Sequence, residues 1–126
     1  MEFAAVDWSS SLTKEDIGSR ERVQKCAFAI ILGAKYRDYE EARTTLSMEK
    51  LTSRREKFAL VFAKKSCVHP IHNHWFVLNT KETITRNILT KFKSVLGRTQ
   101  RLLHSAIPYL TQLLNEDFKK TSQVPL

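Results

Sequence analysis

Residues 13–33, TKEDIGSRERVQKCAFAIILG, decide how this chain is to be read. Thr13 stands where an N-cap accepts from a first-turn N–H, and Asp16 follows three residues later, the spacing of a capping box. Leu12 and Ile17 occupy the two positions of a hydrophobic staple. Ile17, Val23, Ala27, Ile30 and Ile31 fall on one side of a 3.6-residue wheel, with Arg22, Lys25 and Ala29 opposite. Gly33 supplies a left-handed stop. The stretch predicts a helix over 14–32 whose isoleucine and valine side faces the core.

The flanking sequence continues in the same style. In DYEEARTTL, residues 38–46, Asp38 caps a short helix with a narrow apolar side of Tyr39, Ala42 and Leu46. A third helix runs from about Met48 to Ser66. Leu51, Phe58, Val61 and Phe62 share its apolar side, Arg54 and Arg55 flank that side, and Lys57 and Lys64 lie outside it. Lys64 and Lys65 sit where a helix dipole favours positive charge. Pro70 and Asn73 then break the helix. Residues 80–101, TKETITRNILTKFKSVLGRTQR, lack a clean period and read as an extended basic arm of low order. Within it, Ile84, Ile88 and Phe92 make a weak amphipathic turn. SAIPYLTQLLNED, residues 105–117, reads as a short final helix capped by Ser105. Pro108 is tolerated in its first turn, and Ile107, Leu110, Leu113 and Leu114 form its apolar side. The tail from Lys119 reads as unstructured. The fold class expected is therefore mainly α. A small packing unit of three to four helices covers 1–66, an irregular Cys/His loop and basic arm 67–101, and a short C-terminal helix with its tail 102–126.

The 126 residues include 21 basic and 13 acidic ones, for a net charge of +8. Residues 1–46 carry seven basic and eight acidic groups, and 47–66 carry six and two. Residues 67–80 carry none, 81–101 carry six and one, and the last segment balances. The whole excess lies in two segments around the Cys/His loop, the pattern of a binding face for a polyanion rather than of general solubility. With three glycines and three prolines, the chain is poor in the turns an all-β fold needs. Two distant cysteines point to a reduced, intracellular protein, nuclear or cytoplasmic. No signal-peptide pattern opens the sequence and no apolar run is long enough for a membrane span.

CVHPIHNHWF, residues 67–76, invites a metal reading. Cys67, His69, His72 and His74 all come from one loop stiffened by Pro70, with no second ligand pair elsewhere, so no metal site is expected. A Cys67–His69 nucleophile lacks an orienting group and an oxyanion hole. There is no glycine-rich phosphate loop and no nucleophile elbow, and Asp16, Asp38 and Asp117 stand at helix ends, where capping explains them. No catalytic residues and no cofactor are expected. Trp8 and Trp75 read as packing residues rather than as base-stacking platforms.

The order of the pieces nevertheless resembles a known family. DWSSSLTKED, SRERVQKCAFAIILGAKYRDYEEA, EKLTSRREKFALVFAKKS, HNHWF and SAIPYLTQLLNED follow one another as in the C-terminal region of the endonuclease–reverse transcriptase of animal non-LTR retrotransposons, of the jockey and CR1 kind. Each motif alone is weak; five in order, over nearly all of residues 3–117, are specific. The resemblance implies the thumb and post-thumb part of an RNA-directed DNA polymerase, gripping a primer–template duplex. It implies phosphate contacts, weak and independent of base sequence, from Arg22, Lys25, Arg54, Arg55, Lys57, Lys64 and Lys65, with Arg98 and Arg101 as second choices. The departures define a non-catalytic fragment. No tyrosine-x-Asp-Asp turn is present to hold catalytic metal ions, and no endonuclease domain. FAAVDW stands where the family has a longer apolar helix. Ala29 replaces an arginine that is usual on the first helix here. The alternative readings are a host-retained helical module that binds a protein partner through apolar faces left bare, and a relic without function.

Overall fold

The structure is a computed structural model and describes residues 4–80 and 90–122. The described residues are mainly helical, with six α-helices and no strand. These are α1 (Ala5–Trp8), α2 (Lys14–Leu32), α3 (Tyr39–Thr45), α4 (Leu51–Val68), α5 (Gln100–Leu103) and α6 (Ala106–Ser122). The only β-type pairing among them is an isolated antiparallel bridge between Leu78 and Phe92. By packing, the chain divides into two compact units. Residues Leu12–Lys57 form one; Met1–Ser11 and Phe58–Leu126 form the other.

In the unit Leu12–Lys57, α2 has the predicted limits. The Asp16 N–H donates to Thr13 Oγ1 (3.2 Å) and the Thr13 N–H to Asp16 Oδ2 (3.2 Å), a complete capping box. The Thr13 hydroxyl also donates to Asp16 Oδ2 (2.6 Å), and this bond first, then the Thr13 N–H bond, holds the exposed Asp16 carboxyl below its usual range. Gly33 ends the helix at φ 52°, a value that favours glycine. The buried side is not the predicted one. Gln24 and Phe28 point inward, and Phe28 is 2% exposed. Val23 and Ile31 face solvent, and Ile30 is 82% exposed. The reason lies in the partners. Phe28 stacks on Tyr39 of α3 with centroids 5.7 Å apart. The Gln24 side-chain amide donates to the Glu49 carbonyl (3.2 Å). An aromatic stack and the amide bond to Glu49 outweigh the isoleucine stripe, although Gln24 Oε1 is buried without a partner among the described residues. Asp38 is the N-cap of α3 but makes no capping side-chain bond.

In the other unit, the core gathers Ala59, Ala63, Phe76, Phe92, Leu110 and Leu114, with Val6, Leu60, Cys67, Trp75, Tyr109 and Leu113 packed around them. α4 starts at Leu51 rather than Met48 and continues to Val68; its residues up to Lys57 belong to the first unit and those from Phe58 to this one. Its buried side also corrects the prediction. Ala59, Ala63 and Ser66 are enclosed, while Phe58, Val61 and Phe62 are exposed. The small side chains are the enclosed ones, and the large ones are left outside. α6 buries Leu110 and Leu114 as predicted, but it runs to Ser122, through the residues expected to be a loose tail. The Thr121 and Ser122 hydroxyls donate to the Asp117 and Phe118 carbonyls, and Lys119 and Lys120 complement the helix C-terminus. Ser105 stands just before α6; its carbonyl accepts from the Tyr109 N–H (3.3 Å) and its hydroxyl donates to the Leu102 carbonyl (2.6 Å).

The arm is more ordered around Phe92 than its sequence suggests. Phe92 is buried, and its backbone pairs with one side chain of α6. The Phe92 N–H donates to Asn115 Oδ1 (2.9 Å), and Asn115 Nδ2 donates to the Phe92 carbonyl (3.1 Å). Asn79 N–H donates to the Lys91 carbonyl and Lys93 N–H to the Val77 carbonyl, flanking the bridge. The predicted turn at Ile84 and Ile88, and the basic residues Lys81 and Arg86, lie outside the described residues.

Candidate nucleic-acid interface

The nine cations singled out in the sequence fall into three groups. In the first, the cation is enclosed or engaged. Arg55 is 5% exposed, so its guanidinium faces the interior of its unit rather than a phosphate. That is the physical cost of placing an arginine at the same helical phase as Leu51 and Ala59. Arg54 is half-buried. Lys25 lies 5.0 Å above the Tyr39 ring, a cation–π contact. In the second group, an exposed lysine is paired. Lys57 pairs with Glu49, and Lys64 with Asp117 at 2.8 Å. Exposed pairs of this kind open at small cost, so these lysines remain recruitable. In the third group are Arg22, Lys65, Arg98 and Arg101. All four are exposed, and none has a carboxylate partner among the described residues.

Arg22 belongs to the unit Leu12–Lys57, and the other three to the second unit. Lys65 sits in the last turn of α4. Arg98 and Arg101 flank the start of α5. There the Thr99 hydroxyl accepts from the Leu102 N–H (3.3 Å). At Gly97 an added Cβ would meet Leu103 Cδ2 at 2.9 Å, so the chain closes tightly on Leu103. This compact turn, not a loose arm, presents the two arginines.

Near Tyr39 the chemistry is structural. Its hydroxyl donates to Glu21 Oε2 (2.9 Å). Burial, with the Glu21 bond and charge, pushes the phenol up to about 12. Glu40 pairs with Lys50 (3.3 Å) and Arg43 (2.5 Å), and the Lys50 bond leads in holding its carboxyl below the usual range.

The Cys/His loop is packed by stacking. His72 lies flat on Trp75, with centroids 4.3 Å apart and planes 6° apart; His69 stands 4.7 Å from His72, and His74 meets the Trp75 edge. The Ile71 N–H donates to His69 Nδ1 (3.2 Å). The imidazoles are thus turned to one another and to the indole, and among the described residues no three His, Cys, Asp or Glu converge on a metal position. Cys67 is half-buried, and burial pushes its thiol up despite the nearby Lys91 charge, which is the wrong direction for a nucleophile.

A cleft of about 560 Å³ runs beside α6, between Thr90, Ser94, Gln100, His104, Gln112 and Glu116. Among the described residues, no helix is long and apolar enough to cross a membrane. No protein-family model, curated protein or solved structure matches the chain.

What sequence reasoning missed is the outward apolar surface, Val23, Ile30 and Ile31 on α2 and Phe58, Val61, Phe62 and Val68 on α4. The available signal was a second apolar phase on each helix, marked by Phe28 on α2 and by Ala59 and Ala63 on α4.

Proposed function

We propose that the chain is a non-catalytic helical unit derived from a non-LTR retrotransposon reverse transcriptase, and that it holds a nucleic-acid duplex by its phosphates. The observation that carries this reading is the set of exposed cations without carboxylate partners among the described residues of one unit, Lys65, Arg98 and Arg101, with Arg22 a separate one in the other unit, within a chain of net charge +8. Cations on helix ends and tight turns position a backbone without reading bases. Lys57 and Lys64 join them by exchanging Glu49 and Asp117 for phosphate. The ordered family-like motifs supply the link to RNA-templated DNA synthesis, in which this unit would grip the primer–template duplex and leave chemistry to other domains.

The test is fluorescence anisotropy with a labelled DNA duplex and an RNA–DNA hybrid across a salt series. The logarithm of affinity should fall with the logarithm of salt by about 0.9 per phosphate neutralised. Each of Arg98→Ala and Arg101→Ala should lower that slope by about 1 and weaken all duplex sequences alike. Affinity unchanged between roughly 50 and 200 mM salt would sink the reading.

A second reading is a protein-interaction module, and a separate observation favours it. Seven large apolar side chains on α2 and α4 face solvent. Three of them, Val23, Ile30 and Ile31, belong to one unit and four, Phe58, Val61, Phe62 and Val68, to the other, and exposed apolar patches mark association sites. A discrete complex or dimer in size-exclusion chromatography supports it; a monomer that never associates argues against it.

A further inference from the structure

The outer face of α4 combines two features that phosphate binding does not use together. Phe58, Val61, Phe62, Lys65 and Val68 recur at helical spacing and form one stripe, opposite in phase to the enclosed Ala59 and Ala63. Phe58 is 51% exposed and Val68 84%. Lys65 stands inside the stripe, three or four residues from Val61, Phe62 and Val68, and has no carboxylate partner among the described residues. Lys64 edges the stripe, tied to Asp117. The only carboxylate of α4, Glu56, lies outside it.

We infer that this face docks an acidic amphipathic helix of a separate protein, with large apolar residues over Phe58, Val61 and Phe62 and a carboxylate set against Lys65. The inference rests on the interaction-module reading, not on duplex binding. Charge complementarity chooses the occupant. A second copy of the chain would lay one lysine-bearing stripe on another. A duplex would neutralise Lys65 but leave Phe58 and Val61 against a hydrated phosphate backbone, with no apolar burial. An acidic amphipathic helix satisfies both parts of the face, the helix-on-helix mode in which i, i+3, i+4 and i+7 anchors supply affinity. Desolvating Lys65 against a carboxylate then selects for acidic partners.

The experiment pans a random helical-peptide display library on the full chain. Recovered peptides should carry an apolar period of 3.6 with acidic residues beside it. Lys65→Glu and Phe58→Ser should each weaken them by about tenfold or more, with unchanged far-ultraviolet dichroism. Exchanging the peptide's carboxylate for lysine should restore binding to Lys65→Glu. Should Phe58→Ser fail to fold, Val68→Ser tests the same stripe at a more exposed position. Neutral or basic peptides that ignore Lys65→Glu but need Phe58 would overturn the acidic partner and leave the interaction reading standing. No recovered peptide, or peptides indifferent to Phe58→Ser and Val68→Ser, would overturn both. A DNA duplex weakened as much by Phe58→Ser as by Lys65→Glu would make the stripe a nucleic-acid site and overturn the proposal.

Discussion

Asn115 shows how one side chain can replace a strand. Its amide offers the buried backbone of Phe92 both a donor and an acceptor, the two bonds a neighbouring strand would make. Replacing it by leucine leaves two buried backbone groups without partners, at a cost of about 2–4 kcal/mol. Urea denaturation should show that loss, whereas Gln112→Ala, on the exposed side of α6, should stay within about 0.5 kcal/mol. Tyr39 makes a different kind of statement, about pH. An unfolded tyrosine ionises near 10.0, but in the fold the proton is kept to about 12. The raised value stabilises the fold fully below pH 10, and the contribution disappears as pH rises from 10 to 12, because the unfolded chain releases its proton first. Ultraviolet titration of the tyrosinates should include a late step, and Tyr39→Phe should abolish it while keeping the stack on Phe28. The two thiols should also separate. Exposed Cys26 should alkylate faster than Cys67 at neutral pH, since Cys67 is half-buried and burial disfavours its thiolate.

Helices were legible as segments, and less so as surfaces. Thr13, Asp16 and Gly33 act within a few residues of themselves, so the limits of α2 could be read directly from its sequence. The inward face of α2 depends on Tyr39 and Glu49, which lie outside the helix, and no period in 14–32 contains them. In α4 the error has one physical source. A wheel weights side chains by hydrophobicity, while close helix packing rewards small ones, so Ala59 and Ala63 took the place expected for Phe58 and Phe62. The candidate cations followed suit, since Arg55 shares the buried phase and could not be separated from Arg54 by composition. Substitution should reveal which face is which. Phe28→Ala is expected to cost about 3–5 kcal/mol, whereas Ile30→Ser, with an unpacked side chain, should cost no more than about 0.5. Ala63 is 0% exposed, so Ala63→Leu should overpack by about 1–3 kcal/mol. Calorimetric melts of the variants would check the ordering, and an Ile30→Ser loss as large as that of Phe28→Ala would restore the face the wheel suggested.

Across the whole molecule, charge and apolar exposure pull stability and binding in opposite directions. A net charge of +8 on 126 residues repels itself, and the repulsion is greatest at low ionic strength. Salt at about 0.1 M shortens the screening length to about 10 Å and relieves it. The same salt weakens any phosphate contact, because the counterions released on binding must be displaced into a more concentrated solution. The melting temperature should therefore rise between about 10 and 150 mM sodium chloride while duplex affinity falls over the same range. Calorimetry and anisotropy on one preparation measure both. Affinity and stability that fell together would mean that the described ion pairs, Lys64–Asp117 and Lys50–Glu40 among them, contribute more than the excess charge costs. Opposite slopes would place the balance where the charge count puts it, in a surface whose cations outnumber the carboxylates available to them. An anionic ligand then stabilises the fold by occupying those cations, and a duplex added at low salt should raise the melting temperature in proportion to its occupancy.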